Sequence, residues 1–184
     1  MRHDEAAEVP TVAEIYAQHV RFVWRNLRRL GVAHEQVEDA VQDVFLVVHR
    51  RLPEFEGRSS LPTWLFGIVL RVASRYRERS RSKRQRFEPS SADFLDEIAA
   101  TGSQGPFEDV AQRQAADLVY LVLDGLDEDK RNMFVMVELE QMSVVEAAQV
   151  LELNLNTAYS RLKRASAEFE RQLKRVAKQR GAGA

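Results

Sequence analysis

Residues 142–165, MSVVEAAQVLELNLNTAYSRLKRA, constrain this chain most, because they read as a short helix, a turn and a second helix with a basic face. Ser143 and Glu146 have the spacing of a capping box, in which side chain and backbone satisfy each other's free amides at a helix start. Ala147, Ala148, Val150 and Leu151 then make a short helix with small residues where a second helix must cross closely. Asn154 is a suitable N-cap for that second helix. From there Leu155, Ala158, Leu162, Ala165 and Phe169 recur at three- and four-residue steps, the period of one buried helical face. The other face carries Asn156, Thr157, Ser160, Arg161 and Arg164. Short polar groups near a helix start suit base edges in the major groove, and arginines suit phosphates or guanine. On these residues alone, an amphipathic helical hairpin with a solvated basic face is the alternative.

With 184 residues the chain has room for one large domain or two small ones. A hydrophobic content of 45% excludes wholesale disorder, and 30% charged residues imply much exposed helix surface. Prolines and glycines are few and no strand-like alternation stands out, so an all-α fold is expected. Without cysteine, neither a disulfide framework nor a thiolate metal site can form. The longest apolar run, residues 64–70, is too short to span a bilayer, so no membrane insertion is expected. The first ten residues contain acids and no secretory apolar stretch, which predicts a soluble cytoplasmic protein.

A net charge of −1 conceals segregation. Arg71, Arg75, Arg77, Arg79, Arg81, Lys83, Arg84 and Arg86 stand against a single acid, Glu78. Residues 87–112 hold no lysine or arginine but contain Glu88, Asp93, Asp96, Glu97, Glu108 and Asp109. A second basic block runs through Arg161, Lys163, Arg164, Arg171, Lys174, Arg175, Lys178 and Arg180. Patch charge, not net charge, sets phosphate affinity, so two basic blocks with an acidic spacer fit two DNA contacts. For the block from Arg171 onward, solubility charge is an equal alternative.

The spacer marks a domain boundary, because residues 88–91 and 101–106 are polar, turn-rich clusters of the kind that end helices. A short turn around Asp93 to Ile98 is expected between them. Before the spacer, the spacing predicts helices over 12–29, burying Ile15, Val20, Val23 and Leu27, and over 35–51, burying Val37, Val41, Val44, Phe45 and Val48. A third begins near Leu61 and Pro62, where proline suits a first helical turn, and continues into the arginine block. After the spacer, helices are expected over about 107–123, 127–140, 143–151 and 155–178. The expected organisation is a tail at 1–10, a domain at 11–86, a linker at 87–109, a helix-turn-helix domain at 110–176 and a tail at 177–184.

Two stretches of the N-terminal half carry a signature. EDAVQDVFLVVHR at 38–50, followed by FEGRSSLPTWLFGI at 55–68, resembles region 2 of bacterial RNA polymerase sigma factors. LDEDKR at 126–131 and TAYSRLKRA at 157–165 resemble region 4. With only these two regions and a short linker, the chain is similar to the extracytoplasmic function (ECF) group. The resemblance covers nearly all of residues 12–173.

That resemblance implies a transcription initiation factor whose partners are core RNA polymerase and promoter DNA. Asp39, Gln42, Asp43 and Leu46 fall on a face of the second helix away from Val41, Val44 and Val48, and in the family this face binds the clamp coiled coil of the polymerase β′ subunit. Region 4 implies contact with the β flap. The loop from Phe55 to Ser60 and the following helix imply melting of a −10 element, with Arg58, Ser59, Ser60, Arg71, Ser74, Arg75 and Arg79 toward DNA. Extruding a base costs a few kcal/mol, which a shaped, partly apolar pocket must offset. Trp64 is read as anchoring its helix in the core in preference to stacking on a base. Asn156, Thr157, Ser160, Arg161, Lys163 and Arg164 are expected to meet a −35 element. The resemblance also implies an anti-sigma partner.

Three positions depart from the family pattern. Gly67 stands where an arginine is usual, and Arg71 where an asparagine is common, so the preferred −10 base does not carry over. Glu152 stands where the turn of the helix-turn-helix usually has glycine, so that turn is either reshaped or mildly strained. Other classes fit less of the chain. A helix-turn-helix regulator leaves the region 2 signature unused, and a sigma-like adaptor would lack promoter melting. His3, His19, His34 and His49 have no metal-ligand spacing, and no paired carboxylate, nucleophile or phosphate-binding glycine loop is present. No enzyme activity, metal or cofactor is therefore expected.

Overall fold

The computed structural model describes residues 10–86 and 110–181, with side chains described for 10–82 and 115–179. The expected turn at 93–98, the linker at 87–109, a fourth-helix start at Phe107, the side chains of Lys83, Arg84 and Arg86 and most of both expected tails lie outside the described residues.

α1 spans Val12–Arg29 and starts at a capping box that the sequence reading passed over. Thr11 Oγ1 accepts from the Glu14 amide at 3.3 Å, while the Glu14 carboxylate accepts from the Thr11 amide at 2.8 Å. The helix ends at Leu30 and Gly31, whose φ of +85° is the left-handed conformation. There the Val32 amide returns to the Leu27 carbonyl and the Gly31 amide to that of Arg28, a Schellman closure that satisfies the last carbonyls. A single 3-10 turn, His34–Gln36, leads into α2 at Val37–Arg51. α3, Leu61–Arg86, starts at Ser60, whose Oγ accepts from the Thr63 amide at 3.2 Å. The three helices pack pairwise and bury Ile15, Val23, Leu27, Val37, Val41, Val44, Phe45 and Val48, with Val20 half-buried beside them.

α4 is Val110–Asp124, and α5, Glu128–Phe134, is capped by Asp127, whose carboxylate accepts from the Lys130 amide at 2.9 Å. The single helix expected over 127–140 widens after Phe134 into a π turn, Val135–Leu139, closed by Gln141 at φ +55°. α6 is Val144–Val150, begun by the expected capping box of Ser143 and Glu146. α7 runs Leu155–Gly181 from its N-cap Asn154, which accepts from the Thr157 amide at 2.8 Å. α4, α5 and α6 all pack on α7. Phe134 stacks on Phe169 with ring centroids 4.2 Å apart, and Ala147, Ala148, Ala158 and Ala165 are buried where the helices cross. Small residues at those positions let α6 and α7 approach closely enough to form the helix-turn-helix.

The turn of that motif keeps its usual backbone without its usual residue. Glu152 has φ +55°, its amide bonds the Gln149 carbonyl, and the Leu153 amide bonds Ala148 O at 2.8 Å. This is the same Schellman closure as at Gly31, here held by a glutamate. The turn is therefore strained, not reshaped, since the left-handed conformation costs an L residue about 1–2 kcal/mol.

Candidate nucleic-acid interface

The first three turns of α7 present the residues expected to meet DNA. Asn156, Ser160, Lys163 and Arg164 are exposed and Thr157 is half-covered. Ser160 donates to the Thr157 carbonyl at 3.0 Å, so its hydroxyl also serves the helix. Arg161 is different. It is half-buried and paired with Asp129 of α5 at 3.0 Å, which leaves Arg164 as the freer of the two arginines.

Leu155 and Tyr159 correct the sequence reading of this helix. Leu155 was expected on the buried face but is 42% exposed, and Tyr159, unassigned by sequence, is 55% exposed. As the first residue of α7, Leu155 lies ahead of the close crossing that buries Ala158. Together they put an apolar patch one turn long among Asn156, Ser160 and the basic residues. The signal was present as a tyrosine on the polar face of an otherwise regular pattern.

In the N-terminal half, Arg71, Arg75 and Arg79 are exposed on one face of α3. Arg79 lies over the Tyr76 ring, 5.8 Å from its centroid, and Arg75 pairs with Asp43 at 3.0 Å. A cleft of about 160 Å³ opens between α2 and α3, floored by Val47, Ile68 and Val72 and rimmed by Arg51, Arg71 and Arg75. Val47 and Arg51 were not singled out from sequence, because their approach to α3 is a consequence of helix packing. Arg58 is exposed in the loop and pairs with Glu56, while Ser59 is half-buried and Ser60 caps α3. Gly57, φ +69°, supplies the turn of this loop. Trp64 packs half-buried against Phe55 with centroids 5.1 Å apart.

Two residues of the arginine-rich helix do not face outward. Arg77 is buried, bonding the Leu30 carbonyl and Glu128, and Ser74 donates to Glu128 at 3.1 Å. Ser74, expected toward DNA, is thus half-buried and bonded to the C-terminal half. On α2, Asp39, Gln42 and Leu46 are exposed, Leu46 at 54%, while Asp43 accepts from both Arg75 and the Tyr76 hydroxyl. Burial and the hydrogen bond to Asp43 together push the Tyr76 hydroxyl pKa up. The acidic face and the basic face are therefore joined through one carboxylate.

An all-helical chain with an exposed recognition helix in one half and an arginine-lined cleft in the other is a nucleic-acid-binding protein. Comparison with known proteins makes the class specific. The family model of Sigma-70 region 2 matches residues 15–83, and that of Sigma-70, region 4 matches residues 116–168. The RNA polymerase sigma factor CnrH of Cupriavidus metallidurans is 29% identical over 161 residues, covering 85% of this chain and 83% of that protein. The ECF RNA polymerase sigma-E factor of Escherichia coli K12 is 29% identical over 138 residues, covering 70% of this chain and 69% of that one. Among solved structures, CnrH in complex with the cytosolic domain of CnrY has a TM-score of 0.63 at 24% identity, covering 89% of this chain and 87% of that one. The sigma factor RpoE in complex with the anti-sigma factor NepR from Bartonella quintana has a TM-score of 0.60 at 24% identity, covering 88% and 98%. The chain belongs to the sigma-70 family of RNA polymerase sigma factors, in the ECF group, and is a transcription initiation factor. Among the described residues, no helix is long and apolar enough to cross a membrane.

Proposed function

We propose that residues 11–86 dock on core polymerase and open the −10 element, that residues 110–176 read the −35 element, and that residues 87–109 join the two. The observation that carries this reading is the pairing of an exposed base-reading face on α7 with an arginine-rimmed apolar cleft beside α3. Asn156, Thr157, Ser160, Lys163 and Arg164 enter the major groove, with Arg161 available once it leaves Asp129. An unpaired base of the non-template strand rests on Val47, Ile68 and Val72, while Arg51, Arg71 and Arg75 meet its edge or neighbouring phosphates. Arg58, Ser59, Ser60 and Arg79 line the approach of that strand. Asp39, Gln42, Asp43 and Leu46 form the polymerase-docking patch, acidic around one apolar knob.

The protein performs no chemistry of its own and acts in the cytoplasm, where polymerase and promoter are found. Solved relatives were captured with the cytosolic domain of CnrY and with the anti-sigma factor NepR, which supports an anti-sigma partner for this chain as well. Run-off transcription with core polymerase on a promoter library tests the whole assignment. Promoter-selective transcripts that vanish with Asp39→Lys plus Asp43→Lys are expected. Binding to −35 DNA without any transcript would instead favour the helix-turn-helix regulator.

A further inference from the structure

α7 runs past the motif it completes. The region 4 model matches up to residue 168, yet the helix continues to Gly181. Beyond Glu170 the sequence holds no acid, while Arg171, Lys174, Arg175 and Lys178 are all exposed. Arg171 pairs with Glu168, whereas Lys174, Arg175 and Lys178 have no ion pair among the described residues.

This extension is not a loose tail. Phe169 stacks on Phe134, and Leu173 and Val176 pack half-buried against the core at four- and three-residue steps. Gln172 lies against Gly125, where an added Cβ would come within 3.2 Å of its side chain. One side of α7 is therefore anchored on α4 and α5, which fixes the direction of the other.

At about 3.6 residues per turn, Thr157, Ser160, Arg164, Arg171, Arg175 and Lys178 fall within about 60° of one line along α7. The base-reading face and the basic extension are one continuous surface. At about 1.5 Å per residue, Arg171 lies roughly 10 Å beyond Arg164, Arg175 about 17 Å and Lys178 about 21 Å. The major groove is about 12 Å wide and bordered by phosphates on both sides. With Thr157, Ser160 and Arg164 at base edges, the cations that follow come level with the bordering strand. Ordinary surface charge accounts for less of this. The helix dipole favours cations only in the last turn, and Arg171 and Arg175 lie before it. Solvating surfaces intersperse both signs, and here the acids are missing.

We propose that Arg171, Arg175 and Lys178 form a second DNA contact, which grips the phosphate backbone flanking the −35 element and adds affinity without reading sequence. The inference rests on the reading of α7 as the −35 helix. Phosphate oxygens accept from a cation whatever base they carry, so this contact fixes position while Asn156 to Arg164 supply the choice of sequence. It also gives the basic block after Arg171 a role that solubility alone does not.

The test titrates the full chain onto short duplexes with a −35 element of varied sequence, across a salt series. The variant is Arg175→Gln plus Lys178→Gln, which orphans no partner. The control, Arg21→Gln plus Arg50→Gln, removes the same charge from exposed positions on α1 and α2. Each lost phosphate contact flattens the slope of log affinity against log salt by about 0.9. The variant is expected to flatten it by about one to two and to bind about tenfold more weakly or worse at about 0.1 M salt. Its ranking of −35 sequences should stay that of wild type, and the control should match wild type throughout. Equal slopes for variant and wild type overturn the proposal, and so does an equal change in the control, which marks a general field. A reordered ranking overturns it too, by making these residues base readers. Unchanged DNA binding with reduced run-off transcription assigns the face to an acidic protein partner instead. A wild type whose affinity ignores the −35 sequence sinks the recognition-helix reading, and the salt slopes then still decide the phosphate contact.

Discussion

Tyr159 shows what one side chain can decide. It is the most exposed large apolar residue on α7, placed between Asn156 and Lys163 where a recognition helix meets base edges. Thymine differs from uracil only by a methyl group, and burying a group of that size is worth about 0.8 kcal/mol, or about fourfold in affinity. Binding of −35 DNA should therefore weaken about fourfold when one thymine is replaced by uracil, and Tyr159→Ala should abolish that difference. Titrations with thymine- and uracil-containing duplexes measure it, and equal affinities for wild type would remove Tyr159 from base reading. Arg71 makes a second case. It rims the α2–α3 cleft, and a guanidinium only donates, whereas asparagine donates and accepts. Arg71→Asn should change the preferred base at one −10 position if Arg71 meets a base edge. If it meets phosphate, activity should fall equally on all promoters. Transcription from a library randomised across the −10 element separates these outcomes, and no change in either would make Arg71 a solvated charge.

The helix-turn-helix turn is strained at Glu152, and strain at an element's end is measurable. Glycine at this position avoids the left-handed penalty of about 1–2 kcal/mol but loses part of that gain to its freer unfolded chain. Glu152→Gly should raise stability by about 0.5–1 kcal/mol in denaturant unfolding. A loss of stability would mean that the Glu152 side chain makes a contact worth more than the strain. The capping boxes predict a pH response. Hydrogen bonds from the Ser143 side chain and backbone, with a further one from Thr63, hold the Glu146 carboxyl below its usual range. The Thr11 backbone and hydroxyl do the same for Glu14. A depressed carboxyl stabilises the fold fully above the ordinary carboxylate pKa and loses that contribution as pH falls through the depressed value. Unfolding midpoints should thus drop on acidification, less steeply for Glu146→Gln. Identical slopes for wild type and variant would show that the Ser143 box does not contribute.

At the scale of the molecule, bridging two promoter elements demands reach. Residues 87–109 span at most about 80 Å if fully extended at about 3.3–3.6 Å each, little more than the roughly 70 Å between elements two turns apart. Deleting about ten of them should sharply reduce promoter-specific transcription while core polymerase is still bound in co-purification. Unchanged transcription would show that the halves do not separate along the DNA.

Most of the helices were legible because their signals are local. The period of Ile15, Val23 and Leu27, the caps at Ser143 and Asn154, and the proline at the start of α3 depend only on neighbours within a turn. The acidic face of α2 and the polar face of α7 follow from that period for the same reason. What lay beyond reach were meetings between residues far apart in the chain. The arginine block was read as one DNA contact, yet Arg77 is buried against Leu30 and Glu128, and half-buried Ser74 bonds Glu128 with it. Arg161 looked free but pairs with Asp129, and Asp43 serves Arg75 as well as the docking face. Periodicity tells which side of a helix is apolar, while long polar side chains choose partners only after the helices have packed. The sequence alone therefore determined the helices, their order and their family. Tertiary structure decided which charges face solvent and which join the two halves, because those partners are far apart in the chain.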